Sequence, residues 1–280
     1  PALISPRSGT SRAPHGAVPP GSAEHVAAVL RAGAALGIAV VPVGGGTSVV
    51  GGVAPLTGSF PAVVSLDLRR LDRLLSWSGE DLTATFEPGL RGAAAEALLN
   101  ARGLTLGHFP QSYEHATIGG YAATRSAGQA STGYGRFDSI VLGVTLQTPS
   151  GEMLLGRGAA TAAGPSLLQL VLGSEGAFGV MTSITLRVRR MPTVKRYDAY
   201  LVRSWGDGIA ALKRLEQGGV IPDVVRLSDP SESTVNLRMG APRAVRLLAR
   251  GRCLLILGWE GTATSVKTRR RAAKVGGLRL

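Results

Sequence analysis

A strand-forming run, Ile38–Val43, empties directly into Gly44-Gly45-Gly46, and a second pair, Gly51-Gly52, follows Thr47-Ser48-Val49-Val50. No other feature restricts the fold of this chain as strongly. Glycines lack a Cβ, so the backbone takes positive φ and turns its N–H groups toward one point. Such a concavity of bare amides suits a diphosphate, and the Thr47 and Ser48 hydroxyls add hydrogen bonds. Two common phosphate loops are not met. The residues after it, through Val53-Ala54-Pro55, are poor helix formers, so this is not G-x-G-x-x-G opening a helix. No lysine follows, which excludes the nucleotide-hydrolase loop. On these residues alone, a plain glycine-rich turn is an equal alternative.

Around this loop the pattern reads as mixed helix and strand. Ser22 caps a helix with Glu24 in its first turn, and Gly37 stops it. Strands are predicted over 61–68, 82–86 and 139–147, the last turning at Pro149-Ser150-Gly151 into a hairpin partner. An Ala-rich helix spans 91–102 and a short one 166–172. The alternation of 179–189 marks a half-exposed strand. Pro192 marks a boundary where composition shifts. Beyond it, strands at 197–203, 224–227 and 253–259 and helices at 208–217 and 264–275 predict a further α+β layer. Residues 1–19 read as a loose lead-in.

Charge divides the chain at the same place. The net charge is +13; residues 1–186 hold 11 basic and 11 acidic side chains, residues 187–280 hold 20 and 7. A composition rich in Arg and Ala accounts for part of this. The sharper reading is a segment that meets an anion: a phosphorylated substrate or a membrane surface. With aromatics at 5%, few platforms exist for base stacking, and no nucleic acid is expected. No run of apolar residues is long enough for a transmembrane helix. Cys253 is the only cysteine, so no intrachain disulfide or multi-cysteine zinc site forms, and no metal site is expected. The thiol and the absence of a leader pattern at the start predict a cytoplasmic protein.

Three further strings carry candidate chemistry. Gly107–Gly128 (GHFPQSYEHATIGGYAATRSAG) sets Gly119-Gly120 and small residues around a short helix, where a flat ring would approach the backbone; close helix–sheet packing is the alternative. His108 and His115 in it suit no common zinc spacing. Gly173–Met181 (GSEGAFGVM) suits close backbone approach, with Glu175 either a turn residue or a partner for a cofactor hydroxyl. Arg226, flanked by Val225 and Leu227 in a strand, either faces a cleft or points to solvent from an edge. No nucleophile elbow, HExxH or Cys–His pair is present. Side-chain chemistry is thin, and a bound cofactor would explain that.

Together and in order, the strings PVGGGTSVVGG (42–52), 107–128, YGRFDSIV (134–141), GSEGAFGV (173–180) and VVRLSD (224–229) resemble the vanillyl-alcohol oxidase/p-cresol methylhydroxylase superfamily. Within it they are most similar to the alkyldihydroxyacetonephosphate synthase-like branch and bacterial FAD-linked oxidases. The resemblance spans about residues 20–275. It implies an α+β, two-subdomain FAD-binding fold of the vanillyl-alcohol oxidase type over 20–191, divided at about 85/86. An incomplete cap domain over 192–280 follows; the family's substrate arginine, catalytic tyrosine and histidine cluster would lie beyond it.

By the same resemblance Val43, Gly44, Gly45, Gly46, Thr47, Ser48 and Val49 hold the diphosphate. Gln111, Ser112, Tyr113, Glu114, His115, Ala116 and Thr117, with Thr124, Arg125, Ser126 and Ala127, border the flavin. Glu175, Gly176, Ala177, Phe178, Gly179, Val180 and Met181 contact the adenosine–ribose or flavin side, and Arg226 lies near the reactive face. The loop that tethers flavin through a histidine in some members has none here, so FAD is expected to be non-covalent. The implied activity is acyl-to-alkyl exchange on a phosphorylated lipid precursor through flavin N5. An FAD-linked oxidase or dehydrogenase of a hydroxy acid or alcohol is the alternative, and a flavin-binding remnant without activity a third. The expected partners are a small or lipid-like anionic substrate and a peripheral membrane surface; a homodimer is compatible.

Overall fold

The computed structural model describes residues 13–156, 162–238 and 240–275. Most of the expected lead-in and the terminal Gly276–Leu280 lie outside the described residues. The chain divides into two compact units. One runs to Gly128 and resumes over Arg136–Arg190; the other comprises Gln129–Gly135 and the chain from Met191.

The first unit opens with β1 (Gly16–Val18), α1 (Ala23–Leu36), β2 (Ala39–Val43) and β3 (Val63–Asp67). β1 and β2 both pair in parallel with β3, giving the order β1-β3-β2. β1 falls where an aperiodic lead-in was expected; its three residues are too few to show periodicity, and pairing with β3 orders them. The Ser22 side chain accepts the His25 N–H and Gly37 closes α1 in the left-handed region. Val26, Ala27, Leu30 and Gly33 form the buried face of α1. Val26 and Leu30 share a core with Leu66 and Val180.

A five-stranded antiparallel sheet follows, ordered β4-β5-β9-β7-β8, from β4 (Leu74–Ser78), β5 (Thr83–Phe86), β7 (Val141–Thr148), β8 (Gly151–Leu155) and β9 (Val180–Arg187). It begins before the division near 85/86. β4 is not among the expected strands: it lies at the sheet edge, and its apolar pair Leu75 and Trp77 faces solvent instead of a core. α2 (Gly92–Asn100), β6 (Leu104–Thr105), α3 (Ile118–Ala123) and α5 (Phe137–Ile140) cover one face with Leu99, Ile118, Phe137, Ile184 and Leu186 in one core. The strand predicted over 139–147 starts only at Val141, because its first residues finish the turn α5. α6 (Leu167–Val171) precedes β9, and β10 (Arg189–Arg190) pairs with β6.

The second unit holds α4 (Ser131–Tyr134), β11 (Val194–Val202), α7 (Trp205–Gln217), β12 (Val224–Ser228), α8 (Pro230–Arg238), α9 (Arg243–Leu248), β13 (Cys253–Gly261) and α10 (Ala263–Val275). Its antiparallel sheet is ordered β11-β13-β12. Trp259, Leu255 and Leu257 pack with Ala211, Leu215 and Val266. α4 is stitched in from the earlier part of the chain: the Tyr134 hydroxyl donates to Glu260 at 2.7 Å and the Gly133 N–H to the Asp223 carbonyl at 3.2 Å. The Gln129–Gly135 insertion was not expected in this unit.

Candidate cofactor cleft

A cleft of about 370 Å³ lies in the first unit, where β2 ends. Three stretches contribute to it: Gly44–Val50 with Pro42, Gly52 and Val53; Ser112, Ala116, Thr117, Gly119, Gly120, Tyr121, Ala123, Thr124 and Ser126; and Glu175, Gly176, Gly179, Val180 and Met181. The sequence brings them together through close backbone approach. A Cβ on Gly44 would collide with the Thr117 hydroxyl, and one on Gly45 with the His115 carbonyl. A Cβ on Gly176 would lie 2.5 Å from Pro42 Cγ, and one on Gly52 would collide with the Glu175 carboxylate. Gly46 has φ +64°, a conformation that favours glycine. The amides of Gly45 through Ser48 find no acceptor among the described residues. They remain free to hold an anionic oxygen.

α3 forms the second wall. Thr117 caps it, accepting the Gly120 N–H at 3.2 Å. Gly119, Gly120, Ala123 and Thr124 leave this wall shallow. Tyr121 also lines it; its hydroxyl is buried without a partner among the described residues, and burial holds its pKa well above the usual phenol value. Behind the wall, His108 is 3% exposed and its Nε2 lies 3.0 Å from Ser126 Oγ, a cleft residue. The ring stands edge-on to Tyr121 and Phe137. Burial drops its pKa to about 4, so the imidazole is neutral.

Of the residues singled out from the sequence, Gly44 to Val49, Ser112, Ala116, Thr117, Thr124, Ser126, Glu175, Gly176, Gly179, Val180 and Met181 line the cleft. Val43 ends β2 just before it. Gln111, Tyr113, Glu114, His115, Arg125, Ala127, Ala177 and Phe178 do not line it. Tyr113 leans on Phe109, ring centroids 5.4 Å apart. Arg125 has φ +48° and acts as a brace: it donates to the Leu172 carbonyl at 2.9 Å, the Gln169 carbonyl at 2.5 Å and Asp138 at 3.0 Å. Arg226 belongs to the second unit, exposed on edge strand β12 and donating to Glu232.

Pro42, Val50, Gly52, Gly119, Gly120, Tyr121 and Ala123 lie within the candidate strings without being assigned individually to the site, and Val53, Leu68 and Pro88 were not expected there. The GG pairs at 51–52 and 119–120 were the available clue; Leu68 and Pro88 carry none. Glu175 is the one charged side chain among the lining residues. It has φ +49°, held by its N–H to the Ala123 carbonyl at 3.1 Å. A left-handed glutamate is strained, and such strain concentrates at ligand sites. Among the described residues no group of His, Cys, Asp and Glu is placed to hold a metal ion, and no helix is long and apolar enough to cross a membrane.

A strand leading into bare amides, a small-residue helix and a glycine-flanked glutamate define a dinucleotide-holding flavoprotein domain. Residues 14–155 match the family described as FAD binding domain, half of the chain, and the chain belongs to that family. Its cofactor is FAD. The chain is similar to an alkyldihydroxyacetonephosphate synthase of Dictyostelium discoideum: 32% identity over 224 residues, covering 80% of this chain and 36% of the relative. It is also similar to an FAD-linked oxidoreductase of Escherichia coli strain K12, with 30% identity covering 88% of this chain and 49% of the relative. A solved alkyldihydroxyacetonephosphate synthase structure superposes with a TM-score of 0.83 at 28% identity, covering 93% of this chain and 49% of that one. The mixed helix-and-strand architecture expected from the sequence is thereby confirmed. The chain spans about half, or less, of the length of these proteins.

Proposed function

We propose that this chain is the flavin-holding part of an FAD-dependent enzyme that exchanges an acyl for an alkyl group on a phosphorylated lipid precursor. The carrying observation is the row of unengaged amides at Gly45–Ser48, behind Gly44 and Gly45, which lie so close to Thr117 and His115 that neither position admits a side chain. In this reading those amides and the Thr47 and Ser48 hydroxyls take the diphosphate. The small residues of α3 let the flat ring lie close, with the Ser112, Thr124 and Ser126 hydroxyls at its edge. Glu175 accepts from a cofactor hydroxyl. Bound FAD supplies the electron-accepting ring at which the substrate reacts. Arg226, exposed on its edge strand beside Glu232, is accessible to an anionic substrate. Among the described residues no lysine or arginine lines the cleft, so backbone and hydroxyl dipoles face the cofactor's charge.

FAD is non-covalent in this reading; neither His108 nor His115 is among the lining residues. The lipid-like substrate is supported by the similarity to the synthases. The basic second unit supports contact with a membrane surface. A second reading, an FAD-linked oxidoreductase of a hydroxy acid or alcohol, is favoured by the similarity to the Escherichia coli protein.

The absorbance spectrum of the purified chain tests the cofactor part. Oxidised-flavin bands released by acid precipitation are expected; a colourless protein that stays so when soaked in FAD would overturn it. Anaerobic bleaching by a 2-hydroxy acid would shift the activity to the second reading.

A further inference from the structure

The second unit carries a surface that neither its core nor its sheet accounts for. α9 has no buried residue, and Leu247 and Leu248 on it are 62% and 63% exposed. Arg243, Arg246, Arg250 and Arg252 flank them along the chain, all exposed and none paired with a carboxylate among the described residues. Four of the seven carboxylates in this unit are paired elsewhere: Asp198 with Arg270, Asp223 with Arg269, Glu232 with Arg226, and Glu260 with Lys195. Adjacent leucines in water, with four exposed guanidiniums within four residues along the chain, mark an interaction surface.

We propose that the α9 surface docks on an anionic phospholipid bilayer. Leu247 and Leu248 enter the boundary between headgroups and acyl chains, and the four arginines sit on lipid phosphates. This combines the two attractions that reversible membrane binding requires, apolar insertion and a basic rim. A second copy of the chain would bring two sets of arginines face to face. A covering protein segment would have to bring a carboxylate to each guanidinium it buries. Nucleic acid would use the arginines but not the leucines, and residues 238–252 contain no aromatic side chain for stacking. The proposal builds on the membrane-contact part of the reading above, but it is tested without flavin or substrate.

The test is co-sedimentation of the full chain with vesicles of phosphatidylcholine alone and of phosphatidylcholine and phosphatidylglycerol in equal parts. Binding is expected to the mixed vesicles only, and to weaken with salt. Each arginine-to-glutamine change, such as Arg246→Gln, should weaken it about fivefold. Arg246→Lys should retain most of it. Leu247→Ser with Leu248→Ser should weaken it by about tenfold or more. These side chains are exposed, so circular dichroism should be unchanged. No binding to the mixed vesicles overturns the proposal. So does binding that ignores the leucine changes, the result expected of general attraction to polyanions such as DNA. A yellow protein that ignores vesicles removes only this inference. A colourless one that binds them removes only the cofactor assignment.

Discussion

The backbone carbonyl of His115 stands where the first side-chain carbon of Gly45 would have to be, and Ala116 Cα is 2.8 Å from that point. The collision is with backbone, which cannot rotate away as a side chain can. Gly45→Val must therefore push the 115–117 turn out of place and close the cleft. The purified variant should be colourless. Gly46, one residue on, meets nothing within 4 Å but sits at φ +64°. Gly46→Ala strains the backbone by about 1–2 kcal/mol without a collision. It should keep its colour with FAD affinity down roughly tenfold. Equal flavin content in the two variants would refute this division of roles.

Among the described residues, Glu175 is the one charged side chain in the cleft. A hydrogen bond to an ionised acceptor contributes about 1.5–3 kcal/mol. Glu175→Gln should therefore weaken FAD binding by about ten- to a hundredfold in a fluorescence titration of the apoprotein. Unchanged affinity would leave Glu175 a turn residue only.

Arg125 reaches FAD only through what it holds. It ties the 169–172 segment, just before the Glu175 loop, to Asp138 on α5. Burial alone would raise the Asp138 pKa, but Arg136 and Arg125 outweigh it and hold the carboxyl below its usual range. Arg125→Met should lower stability by about 1–3 kcal/mol in denaturant unfolding. FAD affinity should fall in the same variant although no cleft contact is lost. A stable variant with full affinity would argue against the brace.

His108 sets a pH dependence. Its pKa falls from 6.5 to about 4 in the folded chain because burial disfavours the charged ring. Below pH 6.5 the unfolded chain takes up a proton that the folded chain refuses, so this stability is present above that value and is lost as pH falls toward 4. Between pH 7 and pH 5 the loss is about 2 kcal/mol. His108→Gln should flatten that slope in chemical denaturation at the two pH values. An undiminished slope would mean that other groups carry it.

Tyr134 donates to Glu260, a buried carboxylate that also receives Tyr197 at 3.3 Å. Tyr134→Phe removes the donor and keeps the ring. The cost should be about 1–3 kcal/mol, the penalty for a buried acceptor left short. A thermal melt followed by Trp259 fluorescence would report it, since Trp259 lies in the core of the second unit. No shift would mean that solvent replaces the hydroxyl.

Local chemistry was enough for most elements. Ser22 and Gly37 bound α1 as expected, because a cap and a left-handed stop act within a few residues. The glycines at 44–46, 119–120 and 173–179 announced close approach, since a missing Cβ is visible in any sequence. What those glycines approach was not visible. That Gly45 meets His115, or Gly52 meets Glu175, depends on contacts between segments far apart in the chain. Arg125 shows the limit most clearly: it looked like a cofactor residue by its neighbours, yet tertiary packing gives its guanidinium three partners outside the cleft. β4, α8 and α9 escaped notice because their apolar side chains face water or an edge. The chain order of residues decided which backbone could bend and which ends would cap. Only the folded structure decided which amides were left without partners, because hydrogen-bond satisfaction is a property of the whole contact set.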